Sequence, residues 1–517
     1  MDFATGNVSS ALAVFLALTI LIHTIIHRWR NRRLIKFMAQ FPGPIPLPFV
    51  GSAYIYLKQF NTTSVVRFLL QLLANAEETE SHWLGGSPYI MTTNREIINA
   101  IVTNLKNIDK TKDYDSLKVI SAGIFTATGN QWRKTRKIVN PGFRTNVLDS
   151  FDDNFSYHIK IFLESISRLA DTGEEHDVFR ACHAFTLDSF CDNMLGVRID
   201  IQKRRLFNFS ISVEESMNMF FTRAFNPLLW SDFVYSLLGK TKKLADVSRD
   251  MRLLAEDVLN KRLAMEDLQR KEDIKAGQPK YFLELLIDAI ESKEISREQC
   301  IEEIIELFVA GSLTSAISIA WLIKGAAMYP NMADKMYREL IEVCGVREIT
   351  QEDLSKLPYL DMIVKELLRH ITLPIIARHI TNDIRVNDNI VIPAGMNVMM
   401  PIFGLHHDPR FWERPNEFYP EHFSPENEAK RPKGVYLPFS SGPRNCPGNK
   451  YAVRVVKILV ANMMLHFNCS SSEPTPTDII NDLDYRIALL VCPIKGWRVR
   501  FHRRRQEPEK TQVHAAA

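Results

Sequence analysis

Between Pro438 and Gly448 the chain reads Pro-Phe-Ser-Ser-Gly-Pro-Arg-Asn-Cys-Pro-Gly, and from Lys450 to Phe467 apolar residues recur every three and four positions. Such a density of glycine and proline excludes a helix or strand interior, whereas the pattern that follows predicts a helix. Cys446 is thereby placed at a helix start, where unpaired backbone N–H groups can stabilise an anionic sulfur and lower its pKa. A thiolate held in this way can serve as a nucleophile or as a metal ligand. A nucleophile needs a base within reach, and the loop contains no histidine. A ligand needs a rigid bed, which Gly442 and Gly448 permit through close backbone approach. The seven cysteines of the chain are scattered, with no Cys-x-x-Cys pair. Most of them read as small buried hydrophobes of a chain kept reduced.

The rest of the 517 residues is long helical patterns: Ser150–Asp171, Val247–Leu268, Ser296–Tyr329, Asn331–Val343, Asp353–His370 and Lys450–Phe467. Strand-like runs are short and mostly late, at Ile384–Val391, Asn397–Pro401 and Trp497–His502. No internal repeat or Pro/Gly-rich break divides residues 53–502, which predicts one mainly α domain with small β-sheets. The net charge of +4 is too balanced to predict nucleic-acid binding. Residues 503–517, basic and then polar, predict a disordered tail.

Val8 to Ile26 is almost wholly apolar, and its length of about 28 Å matches the ~30 Å hydrocarbon core of a bilayer. Arg28, Arg30, Arg32, Arg33 and Lys36 follow it, against Asp2 alone before it. The positive-inside rule then predicts an uncleaved anchor over residues 1–27, with everything after it cytosolic. A cleaved signal peptide would want a basic start and a small-residue cleavage site, and neither is present. Residues 28–52 read as a basic linker and a proline-rich hinge. The run Phe41-Pro-Gly-Pro-Ile-Pro-Leu-Pro-Phe49 predicts a stiff extended spacer, with a polyproline ligand as the competing reading.

Phe439-x-x-Gly442-x-Arg444-x-Cys446-x-Gly448 resembles, without a gap, the haem-binding loop of cytochromes P450, and companion motifs stand in the same order as in that family. Glu366-Leu367-Leu368-Arg369 resembles its Glu-x-x-Arg pair, and residues three apart share a helix face. Phe418-Tyr419-Pro420-Glu421-His422-Phe423 resembles the Pro-Glu-Arg-Phe segment that closes the same buried knot. Trp132-Arg133-Lys134-Thr135-Arg136 resembles the helix that holds a haem propionate, and Ala310-Gly311-Ser312-Leu313-Thr314-Ser315 the oxygen-binding kink. The resemblance spans Phe41 to about Phe501.

It implies the cytochrome P450 fold and a non-covalent haem b with Cys446 as the iron ligand, a thiolate that favours O–O cleavage. Arg136 and Arg444, with Arg378 as a third candidate, would neutralise the propionates. Glu366, Arg369 and His422 would be structural, and Thr314 would guide protons. It also implies a monooxygenase of the endoplasmic-reticulum membrane that hydroxylates a lipophilic small molecule such as a fatty acid, hormone, semiochemical or xenobiotic. Electrons would come from NADPH through NADPH-cytochrome P450 reductase, with cytochrome b5 as an additional donor. Arg133, Lys134, Lys137, Lys450 and Arg454 are candidate steering charges.

Stretches such as Arg136–Phe143 and Asn226–Phe233 resemble the family-4 clan, which contains fatty-acid ω-hydroxylases, and its insect members in particular. Several residues depart from the family pattern. Leu313 stands where most members carry the acid before the distal threonine, and leucine carries no proton. This motivates two alternatives: an isomerase or dehydratase needing no reductase, or a ligand-binding haem protein with little catalysis. Ala310 stands where some of the clan attach haem through a glutamate, which excludes that link here. His422 replaces an arginine. The segment after Arg369 looks one residue short, so the register of Ile375, Ile376 and Arg378 is open. Phe308, Val309 and Leu313 are expected to line a distal pocket. Met217, Met219, Phe220, Phe221 and Phe225 form an apolar stripe that either lines a lipophilic channel, touches a membrane or is plain core.

Overall fold

The computed structural model describes residues 2–57, 78–204, 208–265 and 280–504. Most of the expected tail lies outside these residues, as does Leu268, the expected end of one helix. The axis of the molecule is a helix from Arg297 to Met328, opened by a capping box between Ser296 and Gln299. It is long and apolar enough to cross a bilayer, but 83% of its most apolar window is buried, so it is the core of the domain. Its middle, Phe308–Leu313, widens into a π turn before the α-helix resumes at Thr314.

Other helices surround this axis. Asp152–Ala170, Phe179–Phe190, Pro330–Cys344, Pro358–His370 and Asn449–His466 contribute to one continuous apolar core. The pattern expected as one helix over Asp353–His370 is broken. Asp353–Lys356 is a 3-10 turn, and Pro358, which cannot donate a backbone hydrogen bond, opens a separate helix as its first residue. The helix expected from Val247 begins earlier, at Lys240.

A second core lies under a four-stranded sheet ordered Thr79–Leu84, Ser87–Thr92, Asn397–Met400, Ile376–His379. Its first two strands form a hairpin that the periodicity did not predict. The turn is Gly85-Gly86, with Gly85 at φ +58°, and Pro88 interrupts the sequence signal. Ile384–Val391, expected as one strand, is instead a small hairpin of Ile384–Arg385 with Val391–Ile392. The Asn387 side chain folds it by accepting from the backbone N–H groups of Asn389 (3.0 Å) and Ile390 (2.9 Å).

The chain begins with a helix over Asp2–Arg30, on which Phe15, Leu18, Leu21, Ile22, Ile25 and Trp29 are exposed. The following segment is packed onto the domain. Phe37 and Met38 enter the second core, and Pro42 C=O accepts from Ser81 N–H of the first strand at 2.7 Å.

Candidate functional site

The loop before Asn449–His466 is held in shape by its own backbone. Cys446 N–H donates to Phe439 C=O at 3.0 Å, and Asn445 N–H to Gly442 C=O at 3.2 Å. Gly442, at φ +70°, lies so close to the Val102 carbonyl that a Cβ would collide with it, so the position admits only glycine. Gly442 therefore shapes the loop and does not itself face the cavity. Phe439, Arg444, Cys446 and Gly448 do, on the wall of a chamber of ≈ 280 Å³ beneath the central helix. The surface that Cys446 exposes belongs to this internal chamber. Burial pushes its thiol above the ordinary value, against the opposing pull of the Gly448 N–H and the Arg136 guanidinium. The helix start alone, expected to lower it, is outweighed by loss of water.

Facing the sulfur, Ala310, Gly311 and Thr314 line the chamber from the central helix. The Thr314 hydroxyl donates to Ala310 C=O at 2.7 Å. Glu306, Ala310, Thr314 and Ser318 all face the chamber at spacings of four. In an uninterrupted helix that spacing would drift ~40° per step, and the wider π turn offsets part of the drift. Phe308 and Leu313 are fully buried on the other side, in the core, so of the expected pocket residues only Val309 faces a cavity. The acid missing at position 313 would thus not open onto the chamber.

The chamber is lined by half-buried and buried cations. Trp132, Arg136, Arg378 and Arg444 line it, as does Lys110, which carries no motif and was invisible to sequence reasoning. Arg136 donates to Asn445 C=O (2.9 Å) and its Oδ1 (2.7 Å), tying its helix to the cysteine loop. Arg444 donates to Ala127 C=O (2.9 Å) and stacks 4.8 Å from the ring centroid of Trp132, which lines the chamber beside it. None of these cations forms an ion pair among the described residues. Burial, with Arg378 beside it, pushes Arg444 down to about 9, and burial with Arg444 and Arg378 pushes Lys110 well below its ordinary value. Such a cluster calls for an anionic guest, and the two propionates of a haem fit it. The segment after Arg369 alternates as a strand should: Ile376 and Arg378 face this chamber, Ile375 and Ala377 a second cavity of ≈ 190 Å³. Met217, Phe220 and Phe221 of the apolar stripe line that second cavity, whereas Met219 is buried in the core.

Behind the loop lies the knot. Arg369 pairs with Glu366 through Nε–Oε2 (2.9 Å) and Nη2–Oε1 (2.7 Å), both side chains wholly buried. It also donates to the carbonyls of His406 (2.8 Å), Pro415 (2.6 Å) and Glu417 (3.0 Å). His422 Nδ1 donates to Glu366 Oε2 at 3.2 Å, and His370 Nε2 lies 3.2 Å from Oε1. Burial raises the Glu366 carboxyl, but Arg369, His370 and His422 outweigh it and hold the group well below the usual range. His406, missed in the sequence, joins knot to loop. Its Nδ1 donates to Arg369 C=O (3.1 Å) and its Nε2 accepts from Leu437 N–H (2.8 Å), one residue before the loop.

The candidate steering charges are partly engaged. Arg454 pairs with Asp149 at 2.6 Å, Lys450 donates to Thr145 Oγ1 at 2.9 Å, Arg133 donates to Leu105 C=O at 3.2 Å and Lys134 to Glu294 C=O, and Arg133, Lys134, Lys137 and Lys450 are all exposed.

The cytochrome P450 family profile matches residues 41–499. The chain is similar to cytochrome P450 4c3 of Drosophila melanogaster, 28% identical over 515 residues, which cover 95% of this chain and 94% of the relative. It is also similar to human (Homo sapiens) cytochrome P450 4V2, 29% identical over 495 residues, with 92% and 91% covered. Cytochrome P450 4c21 of the cockroach Blattella germanica is 24% identical over 497 residues, with 94% and 98% covered. The loop, the knot and the cation-lined chamber agree with these likenesses: the chain belongs to the cytochrome P450 family and is a haem-thiolate monooxygenase.

Proposed function

We propose that the protein hydroxylates a lipophilic small molecule while anchored in the endoplasmic-reticulum membrane by its first helix. The observation that carries the substrate reading is the second cavity, walled by Leu84, Met91, Phe220, Phe221, Val309 and Ile375 and sharing Ala310 with the Cys446 chamber. A guest with little polarity loses unfavourable contact with water on entering such a space. The exposed apolar residues of Asp2–Arg30, followed by arginines, support the anchor and a cytosolic catalytic domain.

A haem bound in the chamber supplies the oxygen-activating redox chemistry, with Cys446 as the residue that would ligate its iron. Arg136, Arg378, Arg444 and Lys110 would hold the propionates by charge-assisted hydrogen bonds. Thr314, its hydroxyl anchored on Ala310 C=O, would hold and pass protons on the opposite side. Glu366, Arg369 and His422 keep the cysteine loop in register through His406. Electrons would come from NADPH through NADPH-cytochrome P450 reductase, met by the basic surface around Arg133 and Lys137, with cytochrome b5 as a second donor.

Reconstitution with that reductase in phospholipid vesicles tests the reading: NADPH- and O₂-dependent hydroxylation of a long-chain lipophile is expected. The second reading that the departure at position 313 raised is an isomerase or dehydratase, although Leu313 lies in the core and not on the chamber. Conversion of an oxygenated lipid without NADPH, together with no NADPH-dependent product, would select it.

A further inference from the structure

The two cavities meet at Tyr114, Phe125, Glu306, Ala310, Leu373 and Leu489, which line both. Glu306 is the acid at this junction. It is 7% exposed, and its Oε2 has no hydrogen-bond partner among the described residues. That oxygen is turned against Gly123, on which a Cβ would collide with it. Glu303, one turn earlier, reaches the same glycine and accepts from Ile124 N–H at 3.0 Å. The other polar chain at the second cavity with a charge, Asp113, accepts from the Tyr89 hydroxyl at 2.5 Å.

Burial, with Glu303 adding its charge, pushes the Glu306 carboxyl well above the usual range. The shift favours the protonated form, which can donate its O–H. Lys110 and Arg444 act on the same group, and their field opposes a cationic guest there. An O–H donor in an apolar passage is satisfied by a neutral oxygen.

We propose that Glu306 is a specificity-determining residue that hydrogen-bonds a neutral oxygen (hydroxyl, ether or carbonyl) of an otherwise apolar substrate lying across the junction of the two cavities. The proposal rests on the reading of the Cys446 chamber as the site of oxygenation. A plain hydrocarbon would leave the carboxyl unpaired, and an oxygenated one would not.

The test compares n-dodecane with 1-dodecanol on the haem-loaded, full-length protein, with affinities read from the Soret shift and, independently, by equilibrium dialysis. The alcohol leaves water less readily than the alkane, so a pocket without a polar partner would favour the alkane. Wild type is expected to bind the alcohol at least as tightly. Glu306→Leu is expected to weaken the alcohol roughly tenfold while leaving the alkane unchanged or tighter, as loss of one buried hydrogen bond requires. Glu306→Gln, which can still donate, is expected to stay within about threefold of wild type for the alcohol. An alcohol-to-alkane ratio unchanged in Glu306→Leu overturns the proposal. So does a wild-type preference for the alkane, an arm that needs no variant to fold. Either failure leaves the carbon-monoxide spectrum of the protein intact, whereas failure of the haem-thiolate reading abolishes it.

Discussion

Replacing His406 by alanine should loosen the cysteine loop without touching any residue that faces the chamber. The imidazole carries two bonds, from Leu437 N–H to Nε2 (2.8 Å) and from Nδ1 to Arg369 C=O (3.1 Å). Alanine leaves both backbone groups buried and unpartnered, at about 1–3 kcal/mol each, or about 2–6 kcal/mol together. Over the 41–499 domain, unfolding entropy is on the order of 1 kcal/mol per degree, so a fall in Tm of about 2–6 °C is expected. Because the lost bond at Leu437 lies beside the loop, the loss should also appear at the haem, as partial conversion of the reduced carbon-monoxide Soret band to its shorter-wavelength form. Thermal scans at one heating rate and the difference spectrum at equal haem content measure both effects. A variant that melts within about 1 °C of wild type, with an unchanged spectrum, would refute the link between knot and loop.

Other outcomes follow from the same geometry. Leu313→Glu places a carboxyl in the core rather than on the chamber, so it should destabilise the fold by about 3 kcal/mol or more and leave coupling of NADPH use to product unimproved; improved coupling, measured as product per NADPH, would contradict this. Acid should unfold the protein partly through buried neutral histidines. Burial depresses His406 to about 3 and His183 and His370 to about 4, so the unfolded chain binds more protons. The stability they contribute is complete above about pH 6.5 and is lost as pH falls toward 4 and 3, by on the order of 3 kcal/mol each at pH 4. Denaturant titrations between pH 7 and 4 would detect it, and a flat profile would contradict it. Arg444→Leu removes a cation from the chamber, so haem retention on gel filtration should fall at matched folded content; unchanged retention would contradict its role.

The parts of the site legible in the sequence are those whose chemistry is local. Gly448 beside Cys446, the i,i+3 pair Glu366 and Arg369, and the apolar period of the central helix are each set by neighbours along the chain. The direction in which Leu313 and Phe308 point was not legible, because the π turn changes which positions share a face, and a 3.6 period does not foresee it. Lys110, His406 and Glu306 escaped for another reason. Each owes its place to segments far away in sequence: Lys110 to Arg444, His406 to Arg369 and Leu437, Glu306 to the glycine at 123. The Thr79–Leu84 and Ser87–Thr92 hairpin was likewise hidden, since its pairing with Asn397–Met400 joins ends of the chain that no window contains.

Ligation of iron by the Cys446 thiolate is the claim on which the rest depends, and a carbon-monoxide difference spectrum of the dithionite-reduced membrane fraction tests it most directly. Wild type should show the long-wavelength Soret band of a thiolate-ligated haem, and Cys446→Ala should lack it at matched expression. A well-expressed, haem-loaded wild type without that band, or a Cys446→Ala variant that keeps it, would contradict the account.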